Sequence, residues 1–148
     1  MLVVDMPHSL ERFMNDEAVQ KQIADALDVL CLVASEAAEY KGFHEDEKRL
    51  FEILPDDTPP DLIDWLNGQL LQAELGRQAS EIGEAIEAVR KPKADDHLPQ
   101  YSNFLVEEAD EVIRVADTCG KRKLGIGQVV VDKLLYNLNR PHKHGKRS

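Results

Sequence analysis

The sequence predicts an all-α fold, a bundle of about four to five helices. Three observations carry this. Apolar residues recur at three- and four-residue steps through most of the chain. Glycine and proline are sparse, 8 and 7 in 148 residues, and fall mostly between those periodic stretches. One β-branched run, Val129 to Val131, reads equally as strand, but no second strand is available to pair with it.

The first helix is expected over Glu17 to Tyr40. Val19, Ile23, Ala26, Leu27, Leu30, Val33, Ala34 and Ala37 form its apolar stripe, and Gly42 suits its end. Glu45 to Leu54 follows as a short helix stopped by Pro55. A long helix opens at Pro59-Pro60, where proline fits the first turn. It runs through Ile63, Leu66, Leu70, Leu71, Leu75, Ile82, Ile86 and Val89 to about Lys91, weakened slightly by Gly68, Gly76 and Gly83. Pro92 to Gln100 is a loop. Ser102 is the N-cap expected for a fourth helix through Cys119, with Gly120 as its stop. Gln128 to Asn139 is the last helix, and Pro141 ends it. Helices this long and thin leave apolar faces over, so a homo-oligomer, dimer or tetramer, is expected.

A length of 148 residues fits one domain, residues 1–148. The net charge of −10 excludes a duplex-DNA or anionic-membrane binder as the expected class, since both need a positive surface. The charge is unevenly spread. Residues 1–120 carry net −17, and residues 121–148 carry net +7. Cys31 and Cys119 lack metal-binding spacing and are expected as buried free thiols. The start, MLVVDMPHSLERFM, does not read as a signal peptide. The longest apolar run, Val29 to Ala34, is too short to span a bilayer. The expectation is a soluble, cytoplasmic protein without nucleic-acid or membrane partners.

Two carboxylate pairs point to chemistry. Glu81 and Glu84 lie three apart on the long helix, and Glu107 and Asp110 three apart on the next. If those helices pack antiparallel, all four carboxylates converge. Their mutual repulsion then calls for a divalent cation, and oxygen-only ligands favour Mg²⁺, with Mn²⁺ as the alternative. A solvated acidic face produces the same spacing, because the chain holds 28 acidic residues. Arg114 and Asp117 continue the Glu107–Asp110 stripe. Arg114 is expected to pair with Asp117 or to brace a ligand carboxylate. Lys133, Asn137 and Arg140 share a face of the last helix, ahead of the basic tail 141–148. Cations beside an acidic metal site suit a phosphate chain.

The stretches SEIGEA (Ser80 to Ala85), EEADEVIR (Glu107 to Arg114), KLLYNLNR (Lys133 to Arg140) and the following PHKHGKR carry a resemblance. Together they resemble the MazG-type all-α nucleoside triphosphate pyrophosphohydrolases, with a core at about 60–140. The resemblance implies hydrolysis of a (d)NTP to the monophosphate and pyrophosphate, a nucleotide-pool house-cleaning activity. It implies Glu81, Glu84, Glu107 and Asp110 as Mg²⁺ ligands and Glu81 or Glu84 as general base. It also implies Lys133, Asn137, Arg140 and Lys146 as contacts to phosphates or sugar. Ser80 departs from the pattern, since many relatives carry a glutamate there. Phosphoribosyl-ATP pyrophosphohydrolases share the motif, and the motif does not distinguish bases. Candidate base walls are Phe43, His44, Trp65 and Tyr136. Of these, Trp65 is expected in the core, His44 at the surface, and Phe43 as an apolar helix-end contact. A non-catalytic helical metal-binding or partner-docking module is the alternative from another class.

Overall fold

A computed structural model describes residues 6–140 and is helical throughout. Its helices are α1 (His8–Asn15), α2 (Glu17–Tyr40), α3 (Glu45–Glu52), α4 (Pro60–Arg90), α5 (Asn103–Lys121) and α6 (Ile126–Leu138). Among the described residues there is no strand, only an isolated bridge between Ala94 and Ser102. No described helix is long and apolar enough to cross a membrane. α1 is the helix that periodicity missed. It has eight residues and buries Phe13 alone, too little pattern to stand out.

Helix ends follow local chemistry. The Ser102 hydroxyl accepts a hydrogen bond from the Leu105 N–H at 3.3 Å, as an N-cap should. At the end of α2, Gly42 has φ +82°. The Phe43 N–H bonds the Ala38 carbonyl and the Gly42 N–H bonds the Glu39 carbonyl, which closes the helix in a Schellman motif.

Contacts divide the chain into two compact units. The first holds the described residues through Leu30 and from Leu124 onward. Its core is Phe13, Ala24 and Val131, with Met14, Val19, Ile23, Leu135 and Leu138 packed around them. Here α6 meets α2 at Gly127, whose N–H donates to Asp28 Oδ1 at 2.9 Å. A Cβ at position 127 would collide with the Ala24 carbonyl.

The second unit runs from Cys31 to Lys123. Its buried apolar residues are all small: Cys31, Ala34, Ala85, Ala88, Ala116 and Cys119. Gly120 lies against the Cys31 carbonyl, so the glycine expected to stop α5 instead admits close contact with α2, and α5 continues to Lys121. Both cysteines are buried and neither is in a disulfide.

The apolar stripes are corrected here. On α2, Leu30 and Val33 are exposed, while Ala24, Cys31 and Ala34 make the buried seam. On α4, Leu75, Ile82, Ile86 and Val89 face outward, while Glu74, Glu81, Ala85 and Ala88 are buried. Trp65, expected in the core, is 58% exposed. The physical reason is that close helix crossings select small side chains, and α5 presents cations to α4 that draw its carboxylates inward.

α4 and α5 run antiparallel through a polar ladder. Arg122 grips Glu74 with two hydrogen bonds, from Nε at 3.0 Å and Nη2 at 3.1 Å, and Lys121 joins Glu74 to Glu47. One turn on, Gln78 donates to the Thr118 hydroxyl at 3.0 Å. The next rung is Arg114 to Glu81. Burial pushes the Glu74 carboxyl up, but hydrogen bonds from Arg122 and Lys121 outweigh it and hold the group below its ordinary 4.5. A depressed folded pKa stabilises the fold above the unfolded value, and that contribution fades as pH falls through the folded one. In metal-free buffer the urea midpoint of wild type should therefore exceed that of Glu74→Gln at neutral pH. The gap should close as the pH drops below about 4.5. A gap that is constant across that range contradicts the assignment.

Candidate metal centre

The α4–α5 ladder leads directly to the site. Glu74, Gln78 and Glu81 advance along α4 while their partners retreat from Arg122, the C-cap of α5, through Thr118 to Arg114. One further turn in the same register brings Glu84 beside Glu107, while Asp110 lies near Glu81. Side-chain oxygens of Glu81, Glu84 and Glu107 lie within 4.8 Å of one another. Glu81 is buried, Glu107 half-buried and Glu84 exposed, so the cluster grades from the helix interface to an open face.

Each carboxylate has a distinct environment. Arg114 Nε donates to Glu81 Oε1 at 2.9 Å, so Arg114 braces a cluster carboxylate. Asp117, the other partner expected for Arg114, instead bonds His44 Nε2 at 2.9 Å. His44, expected at the surface, is 6% exposed because this bond draws it into the interior. The Asn103 amide donates to Glu107 Oε1 at 2.9 Å. Burial first, then the charge of Glu84, push the Glu107 carboxyl above its ordinary value. The Asn103 bond partly offsets this, and Asp110 and Glu81 add to the rise. Burial and then Glu81 push Asp110 upward too, with Arg114 opposing and Asp95 adding. Asp110 thus feels the cluster's field while its oxygens stand outside the tightest group.

The donor set suits a hard divalent cation. All donors are carboxylate oxygens, and the charge they collect is costly without a cation. Carboxylate oxygens within 4.8 Å of one another are near enough for one such ion to gather, with water filling its remaining positions.

No family model, curated protein or solved structure matches the chain. The site therefore rests on its own chemistry.

The cations expected to hold phosphates are on α6, in the first unit. Lys133 Nζ stands 4.9 Å from the centre of the Tyr136 ring, and Arg140 Cζ stands 5.6 Å from it. Tyr136 is 58% exposed between them. Asn137 is exposed on the same helix. Lys146 lies outside the described residues. Phe43, expected as an apolar helix-end contact, is 74% exposed, with most of its ring in solvent.

The connection from α4 to α5 holds residues that belong to neither carboxylate motif. The Asn103 N–H donates to the Lys93 carbonyl at 3.0 Å, and the Asp95 N–H to the Tyr101 carbonyl at 3.0 Å. Asp95 Oδ1 accepts the N–H groups of His97 and Leu98, each at 2.8 Å. This loop is an ordered turn, and two lysines, Lys91 and Lys93, sit in it. In the sequence they stand as two basic residues between two acidic motifs.

Proposed function

We propose that this protein is a Mg²⁺-dependent nucleoside triphosphate pyrophosphohydrolase of the MazG-like kind. It would cleave a (d)NTP to the monophosphate and pyrophosphate, with Mn²⁺ as an alternative ion. The observation that supports this most is the convergence of Glu81, Glu84 and Glu107, with Asp110 beside them, from two antiparallel helices.

Glu81, Glu84, Glu107 and Asp110 would hold the ion, which supplies charge neutralisation of the phosphates and a lowered pKa for the attacking water. Arg114 fixes the Glu81 carboxylate in place. Asn103 does the same for Glu107. Glu84 is the exposed member, and its carboxylate makes no hydrogen bond or ion pair among the described residues. It is the carboxylate best placed to accept a proton from water, which narrows the choice of general base between Glu81 and Glu84. The outward faces of α4 (Leu75, Ile82, Ile86, Val89) and α5 (Leu105, Val112, Ile113) would be covered by a second copy, giving a dimer or tetramer. Light scattering should then give at least twice the chain mass of 16.7 kDa, and a 16.7 kDa particle contradicts the assembly.

One observation favours a non-catalytic module. Arg114 already neutralises part of the cluster. Metal titration separates the readings. Binding of Mg²⁺ at 100 times its Kd stabilises a fold by about 2.7 kcal/mol, which raises the melting temperature of a chain this size by roughly 5–10 °C. The enzyme reading expects that shift, together with pyrophosphate release from at least one nucleotide. A shift without pyrophosphate release, or no shift with either Mg²⁺ or Mn²⁺, favours the module.

A further inference from the structure

A cleft of about 300 Å³ opens beside the carboxylate cluster, lined by Glu84 and Glu107 together with Glu87, Lys91, Lys93 and Asn103. We infer that Lys91 and Lys93 bind the phosphate chain of the substrate in this cleft. The inference rests on the pyrophosphohydrolase reading and names a part of the site that the sequence motifs did not contain.

Four observations carry it. Both lysines start from fixed backbone. The Lys91 N–H bonds the Glu87 carbonyl at 2.9 Å as the cap of α4, and the Lys93 carbonyl is held by Asn103. The same Asn103 holds Glu107 through its side chain, so one residue ties the lysine loop to the candidate metal ligand. The lysines are also free to exchange partners. Lys91 pairs with Glu87 and Lys93 with Asp96, each at 2.6 Å, but both lysine side chains are more than half exposed. Ion pairs in that setting are weak, and a phosphate carrying more charge displaces them. The third observation is the charge of the lining: three carboxylates and two ammonium groups give net −1. One divalent cation turns this to +1, so the cleft attracts a polyanion only when the metal is bound. Finally, about 300 Å³ is at the small end for ligand sites, which suits a run of phosphates and leaves the nucleoside outside it.

The test is calorimetric titration of the full chain with inorganic pyrophosphate, with and without Mg²⁺. Wild type should bind pyrophosphate only with Mg²⁺ present. Lys93→Ala should weaken that binding about tenfold, and Lys91→Ala with Lys93→Ala further, while affinity for Mg²⁺ alone stays within about twofold. Lys93→Arg should restore most of the binding. A non-hydrolysable triphosphate should lose affinity in the same variants. Both lysines are exposed, so circular dichroism should show unchanged helicity. If wild type binds Mg²⁺ and pyrophosphate and the double variant binds them equally well, the lysine assignment falls and the enzyme reading stands. If wild type binds neither, both fall.

Discussion

Glu107→Gln is expected to remove the proposed pyrophosphohydrolase activity and to raise the stability of the metal-free protein. The substitution keeps the shape of the side chain and the oxygen that accepts from Asn103. It deletes one charge from a cluster whose members push each other's carboxyls upward. A carboxylate with a raised folded pKa opposes folding when ionised, so removing its charge at pH 7 relieves the fold. In chelator the variant should melt above wild type. In Mg²⁺ the order should reverse, because wild type gains the ion and the variant does not. Pyrophosphate release should drop on the order of a thousandfold, the scale of losing a metal that supplies several kcal/mol of transition-state stabilisation. Thermal melts with and without Mg²⁺, run beside the activity assay, check all three. A variant that melts below wild type in chelator contradicts the repulsion on which the site is argued.

Gly120→Ala is expected to cost about 3 kcal/mol, whereas Gly68→Ala costs nothing or stabilises by a few tenths. Both glycines sit inside helices, where alanine is intrinsically the better residue. The difference is what surrounds them. A Cβ at position 120 runs into the Cys31 carbonyl and presses on the Ser35 side chain. Backbone cannot turn aside as a side chain can, so α2 and α5 must separate. At position 68 nothing lies within 4 Å. Urea denaturation of the two variants checks the contrast. Equal effects would mean that α5 does not pack on α2 through Gly120.

The long helices were legible because their cues are local. α2 spans Glu17–Tyr40 and α4 spans Pro60–Arg90, close to what periodicity, Pro60 and Gly42 indicate. The inward faces were not legible. Hydrophobicity assigns Leu75, Ile82, Ile86 and Val89 to an interior, but α4 turns Glu74 and Glu81 inward because Arg122, Lys121 and Arg114 wait on α5. Such pairing depends on which helix lies opposite, and periodicity along one helix does not hold that information. His44 illustrates the same limit. Its burial depends on Asp117, 73 residues away in sequence. Three of the four predicted carboxylates do converge, because i, i+3 spacing and an antiparallel return are both geometric consequences of helices. The place of the lysine loop is not legible in the sequence, because its relation to Glu107 runs through the backbone hydrogen bond from Asn103 to Lys93, which no motif encodes.

The most direct test of the central claim is ³¹P NMR of a panel of nucleoside triphosphates incubated with the protein and Mg²⁺. The account predicts that at least one (d)NTP is converted to monophosphate and pyrophosphate, with no conversion in chelator or with Glu107→Gln. Orthophosphate and nucleoside diphosphate as the products, or no turnover across the panel with either Mg²⁺ or Mn²⁺, would contradict it.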